Sequence, residues 1–399
     1  MNLRKTIPAL AVVLFGANGC AFITGLVSAG GADNSAFTVD MEGYDVKKID
    51  LVRPEARGGI CPGTAVAFKV SAEVIDKKKS QKTMLESADP KGKANDARGK
   101  MDLTEFAMAA RGGSIESGVF TASPDPFAAL LGYDVKATFR LDKSKTSQKH
   151  FAPEYTCITG VGTSGASGNY GGSGNGGSSN GGAGGAGGQG GAGSAGPKLN
   201  VYVSIVETPL FDRVGVIRVS GDVEQLTLFD LSTGMNVSAR GGNGGDGGSG
   251  GNGGQGAGPF GSGKSGGPGG AGGDGGPGGD GGSVVVVTDD RFPELRDAIR
   301  VDVSGGGPGG AGSGGRGGSG TPPDKGLPEG PKGPDGPPGS ASNVAGRDGS
   351  IESRAEDVGS MFAELPPGVR LSGAPRAEPA PPPPPPPEPP TKGKKKKPA

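Results

Sequence analysis

Glycine recurs on a strict period of three. Residues 241–255 are five consecutive GGX triplets, 266–283 are six and 181–192 are four, with a looser block over 306–319. With two bare Cα atoms in every three positions, such a stretch has too few side chains to pack as an amphipathic helix or a pleated strand. One regular conformation has this period: the polyproline II helix, with three residues per turn and a rise of about 3.1 Å per residue. In it two columns are bare, so neighbouring rods can approach and share backbone N–H···O=C bonds, helped by Cα–H···O contacts. The X residues form the third column and face solvent. Five- and six-triplet rods span roughly 45 and 55 Å. The competing reading is a set of flexible linkers, which glycine's large entropy loss on ordering supports. The regular triplets and the strands flanking them support order.

The flanking segments read as sheet. Val66, Phe68, Val70, Ala72 and Val74 alternate with Ala67, Lys69, Ser71 and Glu73. Tyr133, Val135, Ala137, Phe139 and Leu141 alternate with Asp134, Lys136, Thr138 and Arg140. Period two with one apolar face is the mark of half-buried antiparallel strands. Tyr44–Val52 reads as a weaker strand, Asp102–Ala110 as a short helix capped by Asp102, and Lys77–Lys82 as a solvated turn. These place a β-rich domain over 33–160. A glycine-rich segment covers 161–198. From 199 to 320, strands at 199–205, 214–219, 225–229, 284–288 and 299–304 are interleaved with the triplets. The expected fold is mainly β, with antiparallel β domains, polyglycine II (GGX) rods and a disordered Pro/Lys-rich C-terminal tail.

GGPGGDGGS followed by VVVVTDDRFPEL is similar to the glycine-rich N-terminal domain of Obg-type GTPases. The resemblance implies a bundle of polyglycine II rods rising from a small β-barrel. It covers about 266–304, extends at most over 199–320, and concerns a fold element, since no GTPase domain accompanies it.

Beyond 320 the chain reads as linker. GPK, GPD, GPP and GSA at 330–341 are collagen-like but too few for a triple helix. Ile351, Val358, Phe362 and Leu365 suit one amphipathic helix over 351–365. Pro381–Pro387 with Pro389 and Pro390 is a stiff extended rod. The whole of 321–399 is thus Pro/Gly-rich linker, short helix and basic tail.

The first twenty residues read as an export signal. Arg4 and Lys5 precede an apolar run from Ile7 to Phe15, and small residues lead to Cys20. Gly19-Cys20 resembles the lipobox of bacterial lipoproteins, although Ala17 stands where that motif usually carries Leu. The resemblance implies cleavage before Cys20 and lipidation of its thiol, and Ala21, not being Asp, implies the outer membrane. Two other outcomes stay open: cleavage after Val27-Ser28-Ala29 to give a secreted protein, or an uncut membrane helix from Ile7 to Val27. With Cys20 set aside, Cys61 and Cys157 remain. An even pair in an oxidising compartment favours one disulfide, against two separate buried thiols.

Several motifs offer chemistry. Gly258–Ser265 (GPFGSGKS) matches the phosphate-binding GxxxxGK[ST], with Lys264 and Ser265 as its charged and Mg²⁺-binding positions. That chemistry needs a strand before and a helix after, whereas glycine triplets lie on both sides, so the segment reads as a turn between two rods. Asp246, Asp274 and Asp280 partly match a calcium-binding nonapeptide that lacks its large apolar residue here. His150 is the only histidine and no nucleophile lies near it in sequence. Two spaced cysteines and one histidine are too few for a zinc site. No catalytic residue, cofactor or metal is expected. Lys and Arg balance Asp and Glu at 41 each, so no global charge points to nucleic acid. Locally, Lys392, Lys394, Lys395, Lys396 and Lys397 form a basic tail suited to an anionic envelope polymer or lipid, or simply to solvent. The expected function is that of a non-enzymatic, lipid-anchored envelope protein with a structural, spacer or adhesive role. Its rivals are a secreted glycan- or protein-binding module at 33–160, a nucleotide enzyme using Lys264, and a flat ice- or surface-binding array.

Overall fold

The computed structural model describes residues 38–53, 58–90, 97–177, 181–259, 262–323 and 329–373. Cys20, the whole signal segment and the terminal lysines lie outside them.

The first region is built from nine short strands: β1 (Tyr44–Val52), β2 (Ala65–Ala67), β3 (Lys69–Asp76), β4 (Lys82–Glu86), β5 (Phe106–Arg111), β6 (Gly113–Glu116), β7 (Val119–Ala122), β8 (Tyr133–Phe139) and β9 (Thr146–Phe151). They pair antiparallel in three sheets, ordered β1-β3-β4, β2-β7-β6 and β5-β8-β9. The alternation in β3 and β8 does what period two requires: Val70, Ala72 and Val74 meet Tyr133, Val135, Ala137 and Phe139 in one core with Phe68 and Phe120. Asp102 caps as expected, accepting from the Thr104 N–H, but only a single 3₁₀ turn follows, Leu103–Glu105. The chain then enters β5, because Phe106, Met108 and Ala110 alternate toward the core opposite β8.

The second region has strands β10 (Gly160–Gly162), β11 (Lys198–Glu207), β12 (Val214–Gly221), β13 (Gln225–Phe229), β14 (Met235–Ser238), β15 (Ser283–Asp289), β16 (Ile299–Asp302), β17 (Ser350–Glu356) and β18 (Arg370–Leu371). A large sheet runs β13-β12-β11-β15-β17, with β18 on the far end of β11. A small sheet runs β10-β14-β16 and is wholly parallel. Within the large sheet, β11, β15 and β17 are also mutually parallel, so the expectation of antiparallel pairing holds for the first region and for β18-β11-β12-β13 only. The large sheet buries both faces. One packs Val201, Val203 and Ile217 on Met235 and Val237 of the small sheet. The other packs Val206, Val216 and Leu228 against Leu130 and Tyr155 of the first region and Val358 and Phe362 of the C-terminal segment. Burial on both faces explains the unbroken VVVV of β15.

Glycine rods connect the two sheets three times. Rod 1 (163–177) leaves β10 and rod 2 (181–197) returns into β11. Rods 3 (239–256) and 4 (264–282) link β14 to β15, and rods 5 (303–321) and 6 (330–349) link β16 to β17. Repeating the same out-and-back path makes both strand triads parallel. Two expected boundaries change. Residues 163–177 and 181–197, inside the segment expected over 161–198, belong to the same slab as rods 3 to 5, and so do 330–349, read above as linker. Residues 350–356, read as the start of a helix, are β17, because rod 6 delivers them alongside β15 in register Val284↔Ile351.

Candidate functional site

The six rods form a slab of two layers, rods 1, 3 and 5 in one and rods 2, 4 and 6 in the other. Rod 3 shows the rule. Its first glycines (Gly241, Gly244, Gly247, Gly250, Gly253, Gly256) donate to Ser304, Gly307, Gly310, Ser313, Arg316 and Ser319 of the parallel rod 5, at 2.7–2.9 Å. Its second glycines (Gly242, Gly245, Gly248, Gly251, Gly254) donate to Ser194, Gly191, Gly188, Gly185 and Gly182 of the antiparallel rod 2, at 2.8 Å. Rod 4 does the same toward rods 6 and 3. In rods 2, 3 and 4 every peptide except that of X thus donates inside the slab, which satisfies backbone that would otherwise be buried unpaired.

Close approach fixes the two bare columns. A Cβ on Gly270 would stand 1.9 Å from the Gly185 carbonyl oxygen, and one on Gly245 2.0 Å from that of Asn169. Rods 1 and 6 lie at the edges and need glycine only every third residue: 165, 168, 171, 174 and 177 in rod 1, and 330, 333, 336 and 339 in rod 6. That tolerance hides rod 6 inside a collagen-like sequence.

The X peptides leave an N–H pointing outward, and at some positions the slab disposes of it, in two ways. On the face of rods 1, 3 and 5, side chains of rod 3 accept it from rod 5. Asn243 Oδ1 accepts from Gly307 at 2.9 Å, Asp246 Oδ1 from Gly310 at 2.6 Å and Asn252 Oδ1 from Arg316 at 2.9 Å. On the face of rods 2, 4 and 6, Asp274 Oδ1 accepts from Ser340 at 2.7 Å and Asp280 Oδ1 from Arg347 at 2.8 Å. Elsewhere on that face proline removes the donor altogether, at Pro268, Pro277, Pro331, Pro334 and Pro337. The aspartates matched above to calcium ligands therefore serve the backbone. Among the described residues no group of three or more His, Cys, Asp or Glu side chains is placed to hold a metal ion.

The two faces differ in chemistry. Across rods 1, 3 and 5, from base to tip, the outward rows are Ser164–Arg240–Ser304, Ser167–Asn243–Gly307, Tyr170–Asp246–Gly310, Ser173–Ser249–Ser313 and Gly176–Asn252–Arg316. Across rods 2, 4 and 6, from tip to base, they are Ala183–Pro268–Pro334, Ala186–Ala271–Pro337, Gln189–Asp274–Ser340, Ala192–Pro277–Val344 and Ala195–Asp280–Arg347. The Arg347 guanidinium, hydrogen-bonded to Asp280 at 2.8 Å, holds that carboxyl below its usual range, so the base row is charge-paired. This division was present in the sequence as the identity of X in each block, and reading the blocks as one period without separating them by rod conceals it.

The remaining candidates fall elsewhere. Lys264 opens rod 4 at the tip. Its N–H donates to Thr321 Oγ1 at 3.1 Å and its carbonyl accepts the Thr321 N–H at 3.0 Å, and a rod follows where a phosphate-binding loop has a helix. His150 lies in a cross-strand row with Asp134 and Arg111. Its Nδ1 donates to Asp134 at 2.9 Å, and Arg111 reaches the other carboxylate oxygen at 2.5 Å. These two hold the Asp134 carboxyl low. No hydroxyl or thiol is hydrogen-bonded to His150 among the described residues. Cys61 and Cys157 form a disulfide across 96 residues. One cluster went unread: Asp289, fully buried, accepts from Ser204 Oγ at 2.5 Å and from Arg291 at 2.7 and 2.9 Å. No helix among the described residues is long and apolar enough to cross a membrane. No known protein family, no curated protein and no solved structure matches the chain.

Proposed function

We propose that the protein is a non-enzymatic lipoprotein of the cell envelope, held in the outer membrane through Cys20, whose slab acts as a rigid spacer or adhesive surface. The observation that carries this reading is the slab itself. Its side chains stand in flat rows on two faces, and the glycine N–H groups of rods 2, 3 and 4 are consumed between rods, an arrangement suited to bearing and contacting rather than to enclosing a substrate. The likeness to the rod domain of Obg-type GTPases is kept as a likeness of fold element, since the slab rises from paired sheets without nucleotide machinery beside it. Lys392 and Lys394–Lys397 supply the contact to an anionic polymer. A ligand-binding role for the first region is less well supported: the concavity lined by Tyr44, Lys77, Phe139 and Leu141 holds about 160 Å³, small beside the roughly 300 Å³ of the least ligand pockets.

Mass spectrometry of the mature N-terminus tests the anchor. A diacylated Cys20 is expected, and a chain beginning at Gly30 overturns it in favour of secretion. Deleting residues 375–399 is expected to reduce retention on anionic envelope fractions, and unchanged retention removes the tail from the proposal.

A further inference from the structure

The X columns take no part in the packing between rods, which the glycine columns carry alone. Inside the slab they serve only to accept or remove outward N–H groups, a need the two faces share, so a consistent difference between the faces answers to what lies outside. Ten of the fifteen positions on the face of rods 2, 4 and 6 are Ala, Pro or Val, and none of the fifteen on the opposite face is. Nearly all of these apolar side chains are exposed, Val344 to 55%. Four of these fifteen positions are proline, and Ser340, Val344 and Arg347 donate to side chains, so this face has fewer outward N–H groups to dehydrate when water leaves it.

We infer that the face of rods 2, 4 and 6 docks a second copy of this chain, the two slabs stacking face to face about a two-fold axis. Size, shape and repeat select this occupant. Five rows about 9.3 Å apart and three rods about 4.8 Å apart cover roughly 700 Å², close to the ~800 Å² per partner of a stable interface. The face has no cleft and no large aromatic or aliphatic anchor, so it offers nothing to a partner that binds by filling pockets. What it offers is a flat array with a fixed repeat, broken once in rod 6 between Ser340 and Val344. A second copy carries the same repeat by identity, and a two-fold axis makes the contact closed and self-complementary.

Greatest overlap puts the axis at the middle row. Ala271 then faces the partner's Pro277, and the two Asp274 side chains approach one another as the one repulsive element.

Sedimentation velocity on the purified full chain, from about 1 to about 100 µM, tests this. A reversible dimer with a dissociation constant in the micromolar range is expected. Ala271→Arg should weaken it at least tenfold, while Ser249→Arg, the same charge on the central rod of the opposite face, leaves it unchanged. Asp274→Asn should tighten it several-fold, a gain that misfolding cannot produce. A chain that stays monomeric throughout, a dimer weakened equally by Ser249→Arg, or one that Asp274→Asn does not tighten overturns the inference.

Discussion

Gly171 and Gly172 are neighbours in rod 1 with opposite duties. A Cβ on Gly171 would lie 2.1 Å from the Gly188 carbonyl oxygen, whereas one on Gly172 meets nothing within 4 Å. Neither has a positive φ. Gly171→Ala should therefore push rods 1 and 2 apart and destabilise by about 3 kcal/mol or more. Gly172→Ala only narrows the unfolded ensemble and should stabilise by about 0.5 kcal/mol. Thermal unfolding of the two variants checks both signs, and equal effects would falsify the column assignment. Residue spacing made this contrast legible in part: period three announced the bare columns, but only the neighbours of each rod show that an edge rod needs one of them.

At the scale of elements, the strands with clean alternation were readable because side chains on successive residues face opposite environments. β1 spans Tyr44–Val52 as the pattern indicates, and β13 spans Gln225–Phe229. β17 was not readable. Six of its seven residues are exposed, so SIESRAE carries no alternation, and it pairs with β15 because rod 6 ends beside it. The parallel pairing of β11, β15 and β17 was hidden for a related reason: its partners are brought together by rod hairpins, and local sequence holds no trace of them. The lock at the far end of these strands was hidden too. Burial pushes the Asp289 carboxyl up, but Arg291 and Ser204 outweigh it and hold it below the usual carboxylate range. A depressed folded value means that its stabilisation is fully present above the unfolded value of about 3.9 and is lost as pH falls through the folded one. Asp289→Asn should lower stability at pH 7 by about 3 kcal/mol, by leaving Arg291 without its partner, and should flatten the acid side of a melting-temperature profile. An unchanged acid limb would mean that other carboxylates set it.

Across the whole molecule, the Cys61–Cys157 disulfide joins the loop after β1 to the segment entering β10, so it ties the first region to the base of the slab. It closes 96 residues. On the loop-entropy model, reduction should cost about 4–5 kcal/mol. Unfolding followed with and without reductant checks this, with Cys61→Ser as the control that reductant leaves unaffected. Cysteine arithmetic anticipated the pairing, because an even number is left once Cys20 is set aside. It could not anticipate which bodies the bond would hold together.

The ladder between rods also governs how such a slab can change in length. An insertion of one residue turns every later column by a third of a turn and drives side chains into the space kept for bare Cα atoms. Growth is thus permitted only in whole triplets, about 9.3 Å at a time, and each new rung stays unpaired until the return arm and the adjoining rods lengthen with it. The exception stands at the rim. In rod 6 the ladder advances four residues from Ser342 to Gly346 while rod 5 advances three from Gly306 to Gly309. The extra residue is taken up after Ser340 and before Val344, whose carbonyls both still accept from rod 4. Length variation among chains built this way should therefore arrive in synchronised steps of three, with irregular insertions confined to the outermost arms and the tips.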